Sequence, residues 1–126
     1  MHAFIIEDDY LIAQNLRDML ESRGFSRFSF ARSEDAAVMG ASAQQFDLIS
    51  ADVRLIPGDG LNAVEKICAE KDIPVIFITG YADELIEREP NAIVVQKPIK
   101  EEELDTALRQ ALRGRQTAEP NQNSAS

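Results

Sequence analysis

The stretch FIIEDD (residues 4–9) drives an apolar run straight into Glu7, Asp8 and Asp9. A short apolar run bounded by polar residues reads as a buried strand. The acids behind it need an account, because two like charges about 4 Å apart repel by roughly 4 kcal/mol at an effective dielectric near 20. Clustered acids must be solvated, protonated or offset by a cation. One outlet is local: an acid just past a strand can cap the next helix and favour its positive N-terminal end. Asp9 is read as such a loop or cap residue. Glu7 and Asp8 call for partners elsewhere in the chain.

Five strand candidates stand out, AFII (3–6), FSFA (28–31), DLISA (47–51), PVIFI (74–78) and AIVV (92–95), and helical patterns alternate with them. In the first helix Leu11, Ile12, Leu16, Met19 and Leu20 recur at helical spacing and stop at Gly24 after Arg23. Ser33 can cap a second helix beginning SEDAAV, Gly60 precedes a third, and Leu104, Leu108 and Leu112 form the stripe of the last. ADELIERE (82–89) offers barely two turns before Pro90, which predicts a short fourth element. Repeated β-α alternation requires a parallel sheet with helices on both faces, since right-handed crossovers place them there. The expected fold is α/β, a flavodoxin-like doubly wound (βα)5 with a five-stranded parallel sheet of order 2-1-3-4-5. PVIFI and AIVV, apolar on both faces, read as interior strands, and the alternating RFSFAR reads as an edge.

Composition narrows the function. At 126 residues, 44% hydrophobic and 28% charged, the chain is one ordinary globular domain. No apolar run approaches the roughly 18–20 residues of a membrane span. The N-terminus lacks a signal-peptide pattern, and the single Cys68 cannot pair internally, which together point to the cytoplasm. With 22 acidic against 13 basic residues the net charge is −9, the wrong sign for a nucleic-acid binder and the right one for metal cations and basic protein surfaces. Cys68, on the face shared by Leu61, Val64 and Ile67, reads as a buried structural thiol. After residue 113 the segment GRQTAEPNQNSAS is polar and reads as a disordered tail, leaving 1–113 as the folded domain.

In the doubly wound order, ligands bind beyond the carboxyl ends of the strands, where strands 1 and 3 are neighbours. The first strand ends at Glu7 and Asp8, the third at Asp52, the fourth at Thr79 in FITGY and the fifth at Lys97 in VVQKP. Each residue type has a task in phosphoryl transfer, where catalysis is mainly positioning and charge neutralisation. Carboxylates suit Mg²⁺, which favours oxygen ligands. Asp52 can attack phosphorus as a nucleophile, Thr79 can donate to a phosphoryl oxygen and Lys97 can balance charge. Singly each signal is weak. A strand-ending Thr is more often a cap or turn residue, and a Lys before Pro a solvated charge.

Over roughly residues 2–113 this set resembles the receiver domain of two-component response regulators. The resemblance implies Asp52 as phosphoacceptor, Asp8 as a direct Mg²⁺ ligand, Glu7 as an acid acting through water, and the Arg54 carbonyl as a further ligand. It gives Thr79 the switch-hydroxyl role and Lys97 the phosphate-binding role, with a cis peptide before Pro98 aiming Lys97 into the pocket. The implied protein is a phosphoacceptor switch and not a turnover enzyme. It takes phosphate from a sensor histidine kinase or a His phosphotransfer protein and acts on a downstream protein partner or passes the phosphate on, with no nucleic acid and no membrane involved. Two departures stand out. Val94 occupies the position of the usual aromatic switch residue, and Pro57 in DVRLIPGDGL lies one position later than the common pattern. With PVIFITGYA they resemble the atypical alphaproteobacterial group with a PFxFATGY motif, associated with general stress response; Val75 and Ile78 depart from that motif. Tyr81 then becomes a candidate for carrying phosphorylation to the surface, against the plainer reading of an amphipathic side chain at rest on it.

Two rival readings fit less well. A pseudo-receiver adaptor that never carries phosphate has no need of the acid set, which is complete here. A phosphatase on this sheet wants a second acid where Arg54 stands, and a nucleotide enzyme wants a GxxxxGK[ST] loop that the chain lacks. The only histidine, His2, lies ahead of the first strand.

Overall fold

The computed structural model describes residues 1–118. Strands and helices alternate as β1 (His2–Ile6), α1 (Tyr10–Glu21), β2 (Arg27–Ala31), α2 (Glu34–Ala43), β3 (Leu48–Ala51), α3 (Gly60–Cys68), β4 (Val75–Thr79), α4 (Ala82–Arg88), β5 (Val94–Gln96) and α5 (Glu101–Ala118). All strand pairings are parallel, in the order β2-β1-β3-β4-β5.

Alternation along β1 divides the core. Phe4 and Ile6 point to one face, where Ala37 and Ala41 of α2, Leu61, Val64 and Ile67 of α3 and Leu85 of α4 cover them. Ala3 and Ile5 point to the other, under Ala13, Leu16 and Leu20 of α1 and Leu104, Ala107 and Leu108 of α5. β1 and β3 are buried throughout, as fully covered parallel strands must be. No helix among the described residues is long and apolar enough to cross a membrane.

Local signals account for most boundaries. Asp9 caps α1 by accepting from the Ile12 N–H, and Ser33 caps α2 by accepting from Ala36. Asp59 caps α3, so Gly60 is the first residue inside that helix and does not precede it. α4 is short as expected, and Tyr81 at its N-cap supplies no side-chain hydrogen bond.

Several expectations need correction. AIVV is no interior strand: only Val94–Gln96 pair, at the sheet edge opposite β2. It is apolar on both faces because both are covered, Val94 by the α2–α3–α4 side and Val95 by the α1–α5 side. Leu11 is turned to solvent one position outside the buried stripe, and Cys68 is exposed in the last turn of α3, at the flank of the buried residues. His2 is the first residue of β1, buried against the Phe46 ring and bonded through Nε2 to the Ser29 hydroxyl at 2.8 Å. α5 continues through Gly114 to Ala118, since one helical glycine costs only about 1 kcal/mol. The rest of the expected polar tail, residues 119–126, lies outside the described residues.

Candidate functional site

Register places the functional residues. Ile6 pairs with Ala51, so Glu7 and Asp52 leave the sheet at the same level, and the Asp52 N–H donates to the Ile6 carbonyl at 2.9 Å. Thr79 pairs with Gln96, so Lys97 follows immediately at the same edge, its N–H donating to the Thr79 carbonyl at 2.8 Å. Carboxylate oxygens of Glu7, Asp8 and Asp52 come within 4.8 Å of one another. The Lys97 ammonium stands 2.8 Å from Asp52 Oδ2 and 2.8 Å from Glu7 Oε1. The peptide bond between Lys97 and Pro98 is cis, and so is that between Ile56 and Pro57.

The electrostatics of the opening acids follow from these distances. Glu7 is 6% exposed and Asp52 8%. Burial lifts the Glu7 carboxyl to about 7, although hydrogen bonds from Lys97 and from the Asp9 N–H pull the other way. Burial works against the Lys97 charge, yet its hydrogen bonds to Asp52 and Glu7 more than offset this and hold the ammonium above its ordinary value. Asp8 is less buried. Its side chain accepts from the Ile56 N–H at 3.1 Å, and its carbonyl accepts from Arg32 at 3.2 Å. Three carboxylates with one ammonium between two of them form an oxygen donor set suited to a hard divalent cation.

The loop after Asp52 is held from several sides. The Arg54 N–H donates to Asp52 Oδ1 at 3.3 Å, and Arg54 and Asp59 bridge across the loop. Glu34 accepts from the Asp59 N–H at 3.0 Å and pairs with Lys66 at 2.8 Å. A Cβ on Gly60 would stand 1.8 Å from the Asp52 carbonyl oxygen, so only glycine allows α3 to begin this close to the site.

Thr79 is fully buried, and its hydroxyl accepts from the Tyr81 N–H at 3.1 Å. Tyr81 is half exposed, with the Arg54 guanidinium 3.5 Å above its ring. Val94 is partly buried, and Pro98 lies beside Ile12, Asn15 and Ile99 in a shallow apolar recess next to Lys97. The fold thus gathers Glu7, Asp8, Asp52 and Lys97 closely, sets Thr79 and Tyr81 on the adjoining loop, and leaves Val94 away from the carboxylates on the β5 edge. Sequence reasoning missed Gln96 and Glu34. Gln96 brackets the loop before α4, accepting from the Ala82 N–H at 3.1 Å and donating to the Gly80 carbonyl at 3.0 Å. Neither residue belongs to a periodic pattern, and only their position beside strand ends hints at a role.

A doubly wound sheet whose carboxyl edge carries this acid and ammonium set is the architecture of the receiver domains of signalling proteins. The family model for the response regulator receiver domain matches residues 3–109, and the chain belongs to that family. It is 36% identical over 118 residues to the phyllosphere-induced regulator PhyR of Methylorubrum extorquens, covering 90% of this chain and 44% of the relative. The solution structure of the PhyR response regulator REC domain of Erythrobacter litoralis superposes with a TM-score of 0.80 at 33% identity, covering 88% of each chain. A crystal structure of a mutant anti-anti-sigma factor PhyR of Bartonella quintana gives a TM-score of 0.84 at 33% identity, covering 92% of this chain and 50% of that one. The chain therefore spans about half the length of the whole regulators it matches.

Proposed function

We propose that this receiver accepts a phosphoryl group on Asp52 from a phosphohistidine of a sensor kinase or phosphotransfer protein and signals through protein contacts. An Asp52 oxygen forms the new P–O bond while the P–N bond to the donor imidazole breaks; the imidazole leaves with the bonding electron pair and takes up a proton from solvent. The observation that carries this reading is the Lys97 ammonium 2.8 Å from both Asp52 and Glu7, inside a cluster of three carboxylates.

Asp8, Asp52 and the Arg54 carbonyl would hold Mg²⁺, with Glu7 acting on it through water, and the bound ion would supply neutralisation of negative charge. Lys97 keeps a fixed positive charge against Asp52 and can serve a phosphoryl oxygen there. Thr79, whose hydroxyl accepts from the Tyr81 N–H, is in this reading the hydroxyl that turns towards the phosphoryl group. With Val94 in place of an aromatic residue, output runs through Tyr81 and α4. The protein acts in the cytoplasm as a switch that catalyses only its own phosphorylation and dephosphorylation. That the Methylorubrum and Bartonella relatives are PhyR regulators, and that one related PhyR is described as a stress response regulator, supports a place in general stress signalling with a downstream protein as partner. Residues 1–113 form the receiver in this reading.

Intact-mass spectra with Mg²⁺ and acetyl phosphate test it. A labile, Mg²⁺-dependent phosphate adduct is expected in the native chain and absent in Asp52→Ala. No adduct, with Mg²⁺ binding demonstrated and a cognate-type kinase added, would replace this reading with that of a phosphate-independent adaptor.

A further inference from the structure

We infer that Arg54 is the side chain that reports the state of Asp52 to α4, leaving Tyr81 and Glu84 for a phosphoryl group once one stands on Asp52. The inference rests on the phosphoacceptor reading above. Arg54 is tied to both ends of the relay. Its backbone N–H donates to Asp52 Oδ1 at 3.3 Å, its guanidinium lies 3.5 Å from the centre of the Tyr81 ring, and its Nη2 is 3.8 Å from Glu84 Oε2. Its side chain is 61% exposed, so these contacts, and not core packing, determine where it rests.

The competition between the two positions is unequal. A cation over an exposed ring and a long ion pair to an exposed carboxylate are both weak holds. A phosphoryl group brings close to two negative charges and three strong acceptor oxygens, which the planar guanidinium fork can engage bidentately. A cleft of about 380 Å³ opens beside the guanidinium, lined in part by Val53, Arg54, Tyr81, Glu84 and Leu85, and it reaches Thr79 at the end of β4.

What the arginine leaves behind is the start of α4. Tyr81 is the N-cap residue and Glu84 lies in the first turn of a seven-residue helix with no side-chain cap hydrogen bond. Departure of Arg54 uncovers the Tyr81 ring and frees Glu84 together. Two side chains also hold this end, the Thr79 hydroxyl on the Tyr81 N–H and the Gln96 side chain on the Ala82 N–H, while Ala82 and Leu85 stay buried beneath it. The first of these comes from the last residue of β4, at the same sheet edge as Asp52. Thus a receiver with Val94 where an aromatic switch is usual still has a wire from acceptor to surface.

The chain has two tyrosines, Tyr10 and Tyr81, so tyrosine-ring ¹³C labelling gives two spin systems, and Tyr10→Phe assigns them. Spectra of the full chain with Mg²⁺, before and after acetyl phosphate, are read beside intact mass. The Tyr81 ring signals should move on phosphorylation. In Arg54→Ala they should start near the phosphorylated position and, in the fraction of chain that intact mass shows to carry the adduct, move less than a third as far; Arg54→Lys, charged but not planar, should fall between. Glu84→Gln, which weakens the resting hold, should shift Tyr81 part of the way before any phosphate is added. An Arg54→Ala chain that takes phosphate and shows a native-sized Tyr81 change sinks the relay and leaves the phosphoacceptor reading standing. So does a native chain that is phosphorylated with Tyr81 unmoved. An Arg54→Ala chain that takes no phosphate also overturns it, because the arginine would then serve transfer itself. No adduct in the native chain removes both readings.

Discussion

Lys97 has one ammonium between two nearly buried carboxylates, and Glu7 bears the consequence. Its carboxyl is lifted from 4.5 to about 7, chiefly by burial, so the folded chain holds a proton that the unfolded chain has already lost across that window. Protons bound preferentially by the folded state make stability fall as pH rises. Without Mg²⁺, stability is therefore expected to decline between about pH 4.5 and 7 and level off above, by on the order of 1–3 kcal/mol. Glu7→Gln should flatten that decline. Urea denaturation at a series of pH values checks it, and equal slopes in both proteins would sink the assignment. At this scale the sequence was informative about identity and poor about geometry. Acids, hydroxyl and ammonium were visible because each ends an apolar run. The Arg54 stack on Tyr81 and the Glu34 grip on the Asp59 N–H were not, since they join residues distant along the chain and obey no periodicity.

Elements hold the site through a few backbone approaches, and Gly60 is the tightest. A methyl group there would meet the Asp52 carbonyl oxygen at 1.8 Å, and backbone on both sides cannot give way cheaply. Gly60→Ala is expected to cost about 3 kcal/mol or more, the upper range for overpacking, and an effect under about 1 kcal/mol in urea titrations would show that the loop can yield. α4 stands at the other extreme. Gln96 replaces the side-chain cap that Tyr81 does not supply, accepting from Ala82 and donating to the Gly80 carbonyl. Gln96→Ala removes two hydrogen bonds at the start of α4 worth about 1 kcal/mol each, so amide exchange at Leu85 and Glu89 should quicken by roughly thirtyfold while β1 and β3 are unchanged. Unaltered exchange in α4 would count against the bracket. Strands and amphipathic helices were legible because burial imposes periods of two and 3.6. β5 misled because apolarity on both faces reports cover by helices, not a place inside the sheet, and Leu11 and Cys68 because stripe positions near helix ends overhang the core.

At the scale of the whole molecule, a net charge of −9 with three carboxylates drawn to one edge makes the folded state work against its own charge. A divalent cation bound there acts on the folded state alone and shifts the equilibrium by mass action. At about 100 times Kd this stabilises by roughly 2.7 kcal/mol, which for a domain of this size raises Tm by about 8–15 °C. General screening of surface charge would do the same with any salt, so the comparison is Mg²⁺ against NaCl at equal ionic strength. The specific rise should appear with Mg²⁺ alone and be largely lost in Asp8→Asn, which keeps Asp52 and its partner Lys97 intact. A rise of equal size in Asp8→Asn, or one matched by NaCl, would mean that the edge responds as a diffuse acidic surface. The three carboxylates would then owe their closeness to Lys97 and the strand register, and not to a cation that they evolved to hold.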